Sequence, residues 1–311
     1  MRIKLPGDEM RKFVVSDIQG NGRIYDSIMA YLDHISLQDE VELTIIGDLI
    51  GPGSDSFRIL KDIRKRKEKQ NNISIKHLGG DQELKLYQAL LSRKQGEKIN
   101  PSSDWIKCAG ESLEENILYS QNPEEEYKEI KTYIGNLKIY RKLKESIYHR
   151  PIVLVHAKAP IFQNKELRIK ENNFEIYEAL SCRLDQLDNR FFLRGSSGMI
   201  QHNKLGDPMC FMIKGHIPVQ NKDGFFIHPT EHYIDIAGSY HIPLIEIEDN
   251  KLSILVFNQQ NQIQNGYLFK ENKLQQMPEE DLQREQAHLQ YQSISCPERM
   301  RVKVLKKSLR N

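Results

Sequence analysis

Five predicted strands in this sequence end in side chains that bind metal ions in proteins. The strands lie within the apolar runs 12–16, 41–48, 73–83, 151–157 and 209–219. The residues at their ends are Asp17 with Gln19, Asp48, Asp81, His156 and His216. Because ligands of α/β folds bind beyond the carboxyl ends of the strands, we expect these side chains to meet at one sheet edge.

The chemistry of these side chains points to divalent cations. Carboxylate oxygens and imidazole nitrogens suit Mn, Fe or Zn. A carboxylate between two cations about 3.5–4 Å apart can bridge them, and such a pair polarises a phosphate and ionises water. A single Asp at such a position is as often a turn or N-cap residue. The repetition at successive strand ends is what favours a metal site.

The elements that carry these residues alternate along the chain. Residues 12–95 show strand followed by helix three times, which predicts a parallel or mixed sheet. We predict further helices over 126–147 and 170–190. The apolar runs between 224 and 257 predict successive antiparallel strands that face the first sheet or extend it.

The organisation that follows has one core and two additions. Residues 1–95 and 148–257 form the predicted core. Residues 96–147 are polar and are predicted to be a helical insertion or cap. Residues 258–311 are rich in Gln, Glu and Lys, and we predict an extension that is partly helical or disordered.

Composition excludes several classes of protein. The net charge of +2 gives no reason to expect nucleic acid as a partner. No run approaches the roughly 18 apolar residues of a membrane span. The four cysteines are widely spaced without a CxxC pair, which predicts reduced thiols and a cytoplasmic location.

The strand-end motifs resemble those of a known family. In chain order they are "SDIQGN", "GDLIGPGSDS", "GGDQEL", "VLVHA" and "GHIPV", and "YIDIAGSY" follows them. Together they resemble the calcineurin-like metallophosphoesterases, in particular the phosphoprotein phosphatase branch and the bacterial symmetrical dinucleoside tetraphosphatases. The resemblance spans about residues 12 to 257. It implies a four-layer α/β/β/α sandwich of mixed sheets flanked by helices, with a helical insertion.

The resemblance also implies roles for individual residues. Asp17 and Gln19 would hold a first metal, and Asp48 would bridge to a second. Asp81, His156 and His216 would hold that second metal. Asp81 stands where the family usually has Asn, which implies binding at least as tight.

Four positions depart from the family pattern. Gln19 replaces the usual His, and a carboxamide is the poorer ligand, so the first metal site is expected to be weak. Gln82 stands where the family has its catalytic general-acid His. Gly51 and Pro52 stand where the family has Asp or Ala and a phosphate-gripping Arg. Arg194 resembles a second phosphate-gripping Arg of the family.

Two further histidines, His77 and His241, are alternatives for the missing acid that the sequence alone does not place.

Three functions follow from these motifs and departures. The first is a manganese- or other metal-dependent phosphatase that hydrolyses phosphate monoesters, with a phosphoprotein or a small phosphoester as substrate. The second is a dinucleoside polyphosphate hydrolase. The third is a catalytically impaired pseudophosphatase that serves as a binding or scaffolding module, because Gln82 and Pro52 lack the family's chemistry. The composition of the tail adds secretion into a host cytosol, as an effector, to the candidate locations.

Overall fold

A computed structural model describes most of the chain. The described residues are 10–68, 72–157, 167–171, 176, 180, 210–216, 219, 221, 223–228, 233–238, 241–258, 260, 262–271 and 273–295. Arg194 and nearly all of the predicted helix over 170–190 lie outside these residues.

The described residues form twelve strands and six α-helices. The strands are β1 (Arg11–Val15), β2 (Val41–Ile46), β3 (Ile73–Leu78), β4 (Tyr140–Ile147), β5 (Arg150–Val155), β6 (Phe211–Lys214), β7 (Phe226–His228), β8 (Tyr233–Asp235), β9 (Ile242–Glu248), β10 (Lys251–Phe257), β11 (Ile263–Lys270) and β12 (Lys273–Gln276). The helices are α1 (Gly22–Ile35), α2 (Ser56–Glu68), α3 (Asp81–Ser92), α4 (Glu111–Leu118), α5 (Pro123–Gly135) and α6 (Glu279–Ser295). A π-helical turn, Ile106–Gly110, precedes α4, and a 3₁₀ turn spans Ile169–Glu171.

The strands form two mixed sheets, which confirms the predicted fold class. The first has the order β12-β11-β10-β9-β1-β2-β3, with β1, β2 and β3 parallel and β9 antiparallel to β1. The second has the order β4-β5-β6-β8-β7, with β5, β6 and β8 parallel. The last predicted strands therefore divide between the two sheets, since β7 and β8 join the second and β9 and β10 extend the first.

Alternation of side chains along β1 builds two cores at once. Phe13 and Val15 pack with the helices, whereas Val14 packs in the core between the two sheets. Helix α1 begins after Asn21, whose side chain accepts a hydrogen bond from the N–H of Ile24 at 3.2 Å. β1 and α1 are thereby fixed in position on either side of the turn at residues 16–21.

One predicted helix is wrong in its second half. Helix α5 ends at Gly135, and Tyr140–Ile147 form β4, which pairs antiparallel with β5. Arg141 of β4 donates to Thr44 Oγ1 and Glu42 Oε2, each at 2.8 Å. These bonds tie an edge strand of the second sheet to β2 of the first.

The C-terminal extension begins with strands that the sequence analysis did not predict. β11 and β12 continue the first sheet antiparallel to β10. Helix α6 then packs on α1, where Tyr31 donates to Glu285 at 2.6 Å. Among the described residues, no helix is both long and apolar enough to cross a membrane.

The contact between the sheets gives a testable prediction. Replacing Arg141 with Ala leaves the buried Glu42 carboxylate without its ion pair, so we expect the free energy of unfolding to fall by about 1–3 kcal/mol. Lys144→Ala, at an exposed position of the same strand, should change it by less than about 0.5 kcal/mol. Urea denaturation of both variants checks this, and equal losses would contradict it.

Candidate metal centre

Four predicted ligands meet at one point. Asp48 follows β2, Asp81 begins α3 directly after β3, and His156 and His216 follow β5 and β6. One ligand atom from each of these four residues lies within 4.8 Å of the other three. Asp48, Asp81 and His156 are buried, and His216 is partly exposed. The convergence expected of the strand ends therefore holds for these four residues, drawn from both sheets.

The distances within this cluster suit a shared cation. His156 Nε2 lies 3.3 Å from Asp48 Oδ1 and 3.6 Å from Asp81 Oδ1. His216 Nδ1 lies 3.4 Å from Asp81 Oδ1 and 3.2 Å from His156 Nε2. Four lone-pair atoms thus face one another in a space that an ion of tetrahedral or higher coordination fits.

A backbone carbonyl orients the His156 ring for metal ligation. Its Nδ1 lies 3.0 Å from the carbonyl oxygen of Ile46, which turns Nε2 toward the cluster. Burial lowers the pKa of His156, but the carboxylates of Asp48 and Asp81 raise it to about 10. A positive charge is therefore favoured at this position, and a bound cation would supply it.

The environments of the Asp48 and Asp81 carboxylates also favour a bound cation. Burial, together with the nearby charges of Asp81 and Asp17, raises the pKa of Asp48 well above its usual range. Burial also acts on Asp81, but interactions with His156 and His216 lower its pKa. Buried carboxylates this close together repel one another, and a divalent cation between them removes the repulsion. The donor set fits such an ion.

Asp17 lies beside the cluster and not within the group of four. Its Oδ2 accepts hydrogen bonds from Ser16 Oγ and from the N–H of His216, the latter at 3.1 Å. A Cβ on Gly215 would come within 2.3 Å of this oxygen, so a larger residue there would displace the Asp17 carboxylate. Asp17 thus touches the backbone of one predicted ligand, in keeping with a neighbouring position in the same site.

Gln19 is joined to the site through its backbone. Its N–H donates to Asp48 O at 2.8 Å, and its own carbonyl accepts from Gly53 at 2.8 Å. The side chain is half-buried beside Gly51. Ligation by its carboxamide stays a prediction.

Glu83 is a site residue that the sequence analysis missed. It is fully buried, and its carboxylate accepts the N–H groups of Asp48, Leu49, Ile50 and Gly80 at 2.8–3.3 Å. The bond to Gly80 is the glutamate half of a capping box at the start of α3, in which the side chain at N3 accepts the N–H of the N-cap residue. The signal was the glutamate three residues after the N-cap.

The charge of Glu83 is retained despite its burial. Burial alone would raise its pKa, but the interaction with His77, whose Nε2 lies 3.6 Å from Oε1, lowers it. The other ring nitrogen of His77 lies 3.0 Å from Tyr133 OH. With its side chain fully buried behind Glu83, His77 has no access to a substrate and does not replace the missing acid.

Of the three positions linked to the acid and to the phosphate-gripping arginines, the structure describes two. Gln82 donates its backbone N–H to Asp48 Oδ1 at 3.0 Å, so it lies at the cluster. Pro52 is exposed. Arg194 lies outside the described residues, and its phosphate-gripping role stays a prediction.

Comparisons with known proteins gave similar solved structures only. No family model matches the chain, and no curated protein matches it. The chain is similar to a protein serine/threonine phosphatase from Saccharomyces cerevisiae with similarity to human phosphatase PP5, at 12% identity over 78% of this chain and 73% of that one, with a TM-score of 0.47.

Two further structures are similar at comparable identity. A cold-active protein-tyrosine phosphatase of a psychrophile Shewanella species is 11% identical over 88% of this chain and 83% of that one, with a TM-score of 0.42. A variant of Vps29 from Entamoeba histolytica is 12% identical over 86% and 97%, with a TM-score of 0.33. These likenesses concern the fold alone.

The role of Glu83 gives a prediction with a matched control. Glu83→Gln keeps the shape but turns an amide nitrogen toward backbone N–H donors, so we expect a loss of about 2–4 kcal/mol in unfolding free energy. Affinity for Mn²⁺ should fall about 10–100-fold, because the loop that carries Asp48 loses its support.

The control is Glu114→Gln. Glu114 is also buried and accepts from the N–H of Ile99 and from Tyr127 OH, but it lies in the 96–147 segment. It should lose stability without losing Mn²⁺ affinity, as measured by denaturation and isothermal titration calorimetry. Equal Mn²⁺ affinities in both variants would show that Glu83 has no special part in the site.

Proposed function

We propose that the protein is a metal-dependent phosphoesterase that hydrolyses phosphate monoesters, with phosphoproteins as the favoured substrate class. The observation that carries the proposal is the cluster of Asp48, Asp81, His156 and His216 within 4.8 Å, beside Asp17. The order of the motifs that supply these residues adds support, since it resembles that of the metallophosphoesterases.

The residues of the cluster have distinct tasks under this proposal. Asp81, His156 and His216 hold one cation, which manganese suits. Asp48 would be the ligand shared by the two cations, because it belongs to the group of four and lies close enough to Asp17 for that charge to act on it. Asp17 and Gln19 serve the second cation. When bound, divalent cations neutralise phosphoryl oxygens and make water a nucleophile at neutral pH.

Gln82 decides which substrates react fast. It lies at the cluster, where its backbone N–H reaches Asp48, and a carboxamide cannot protonate a leaving oxygen. Hydrolysis therefore depends on the leaving group's own acidity, and esters of acidic phenols react faster than esters of serine. A general acid is worth about 10²–10⁴-fold in rate.

The same residue favours a second candidate function. With Gln82 in place of an acid and Pro52 in place of a cation, the chain has the features of a pseudophosphatase that binds a phosphorylated partner without turnover. A dinucleoside polyphosphate should also be tested as a substrate, because its hydrolysis is the alternative reaction.

Metal content and turnover test the proposal together. Wild-type protein should bind Mn²⁺ and hydrolyse p-nitrophenyl phosphate, and Mn²⁺ at 100 times its Kd should stabilise the fold by about 2.7 kcal/mol. Asp48→Asn should lose at least about 100-fold in Mn²⁺ affinity and in kcat/KM, because a ligand is worth more than the residues that orient it.

The control is Asp33→Asn, which removes a surface partner of Arg66 and should leave both quantities unchanged. Mn²⁺ binding without turnover of any tested ester would favour the pseudophosphatase. Full turnover by Asp48→Asn would place the site elsewhere.

Restoring the acid gives a second prediction. Gln82→His should raise kcat about 10²-fold for phenyl phosphate, whose leaving group needs protonation, and far less for p-nitrophenyl phosphate. The two esters share a binding mode, so their ratio of rates isolates protonation from binding. An equal gain on both substrates would refute the role given to position 82.

A further inference from the structure

Lys85 contacts the cluster of predicted metal ligands through the carboxylate of Asp81. It lies one helical turn after Asp81 on α3, and its Nζ is 2.6 Å from Asp81 Oδ2. The other oxygen of Asp81, Oδ1, faces His156 Nε2 and His216 Nδ1 at 3.6 and 3.4 Å. Asp81 therefore has one oxygen that faces the two histidines and one that faces the ammonium.

The exposure of the two side chains shows on which side the ammonium lies. The side chain of Lys85 is 22% exposed and that of Asp81 only 8%. The ammonium is thus the more exposed partner, and the carboxylate lies between it and the histidines. An ion held on Oδ1 and the ammonium on Oδ2 would share a single carboxylate.

We propose that Asp81 and Lys85 act as one neutral ligand unit, in which Asp81 supplies an oxygen to the cation and Lys85 cancels its charge. The inference rests on the proposed metal-dependent function. An asparagine offers one oxygen and no net charge, and the pair reproduces both properties. The expectation that Asp81 tightens metal binding counted its carboxylate without the lysine beside it.

The consequence is that the site carries less net negative charge than its three carboxylates alone would give it. Of the charges of Asp17, Asp48 and Asp81, the last is offset by Lys85. An uncompensated third carboxylate would repel an anionic phosphoester that approaches the cations. Lys85 is thus a positioning residue that sets the charge of the site.

This assignment predicts effects of opposite sign. Loss of the ammonium removes a repulsion on the cation, whereas loss of the carboxylate's charge leaves the ammonium uncompensated beside it. A purely structural role for the pair would weaken metal binding in both cases. The direction of the change at Lys85 therefore separates the two explanations.

The experiment is calorimetric titration of metal-stripped full-length protein with MnCl₂. We expect Lys85→Met to bind Mn²⁺ roughly tenfold more tightly and Asp81→Asn roughly tenfold or more weakly. The double variant Asp81→Asn with Lys85→Met should return to within about threefold of wild type, because the cation then meets no unpaired charge.

Two controls separate charge from packing. Lys85→Arg keeps the charge and should bind Mn²⁺ within about threefold of wild type. Lys61→Met removes an ion pair with Glu126 on another face and should change nothing. Thermal unfolding without metal shows which variants fold, and Lys85→Gln is the second neutral variant should Lys85→Met not fold.

The outcomes are distinguishable. Unchanged or weaker Mn²⁺ binding by both neutral Lys85 variants would overturn this inference, as would a double variant that stays as weak as Asp81→Asn. In either case, Mn²⁺ binding by wild type leaves the proposed function standing. Wild-type protein that binds no Mn²⁺ would overturn the proposed function and this inference with it.

Discussion

The buried carboxylate of Glu83 is the interaction on which the rest of the site depends. It collects four backbone N–H groups from two segments, residues 48–50 after β2 and Gly80 before α3. Two neighbouring strand ends are thereby held at a fixed distance, and each carries a predicted metal ligand. Hydrogen bonds to a charged acceptor are the strong ones, and the burial of Glu83 adds to their strength.

The fold could be predicted where a strand is a continuous apolar run and not where its apolar residues have a helical spacing or its side chains are exposed. β1, β2 and β3 are short apolar runs, each followed by a helix, a pattern that favours βα units. In β4, Tyr140, Leu143 and Ile147 are spaced three and four residues apart, as on a helix. Leu143 and Ile147 are also an even number of residues apart, so in a strand their side chains point to the same face. Both pack in the core between the two sheets. β12 exposes all four side chains and offers no pattern at all.

Some residues of the site can also be predicted from the sequence, and others cannot. The convergence of Asp48 and His156 could be predicted because side chains that follow the carboxyl ends of parallel strands tend to meet. Glu83 and Lys85 could not, since each acts through a partner that only the folded chain brings near: a set of backbone N–H groups for one, Asp81 for the other. The sequence signal of Lys85 is that of any charged residue in the first turns of a helix, and the position of Glu83 three residues after the N-cap predicts only one of its four hydrogen bonds.

The backbone at the site is held in a conformation that its side chains do not favour. Asp17, Gln19, Asp48 and His216 all have positive φ angles, between 49° and 76°. Each such residue costs about 1–3 kcal/mol where the structure enforces it. Asp17 N donates to Gly47 O and Gln19 N to Asp48 O, so the turns after β1 and β2 enforce the strain on each other. Glycine would remove the strain, but it has no side chain to turn into the cluster. Backbone strain at four sequence-predicted ligand positions is therefore in keeping with the proposed metal site.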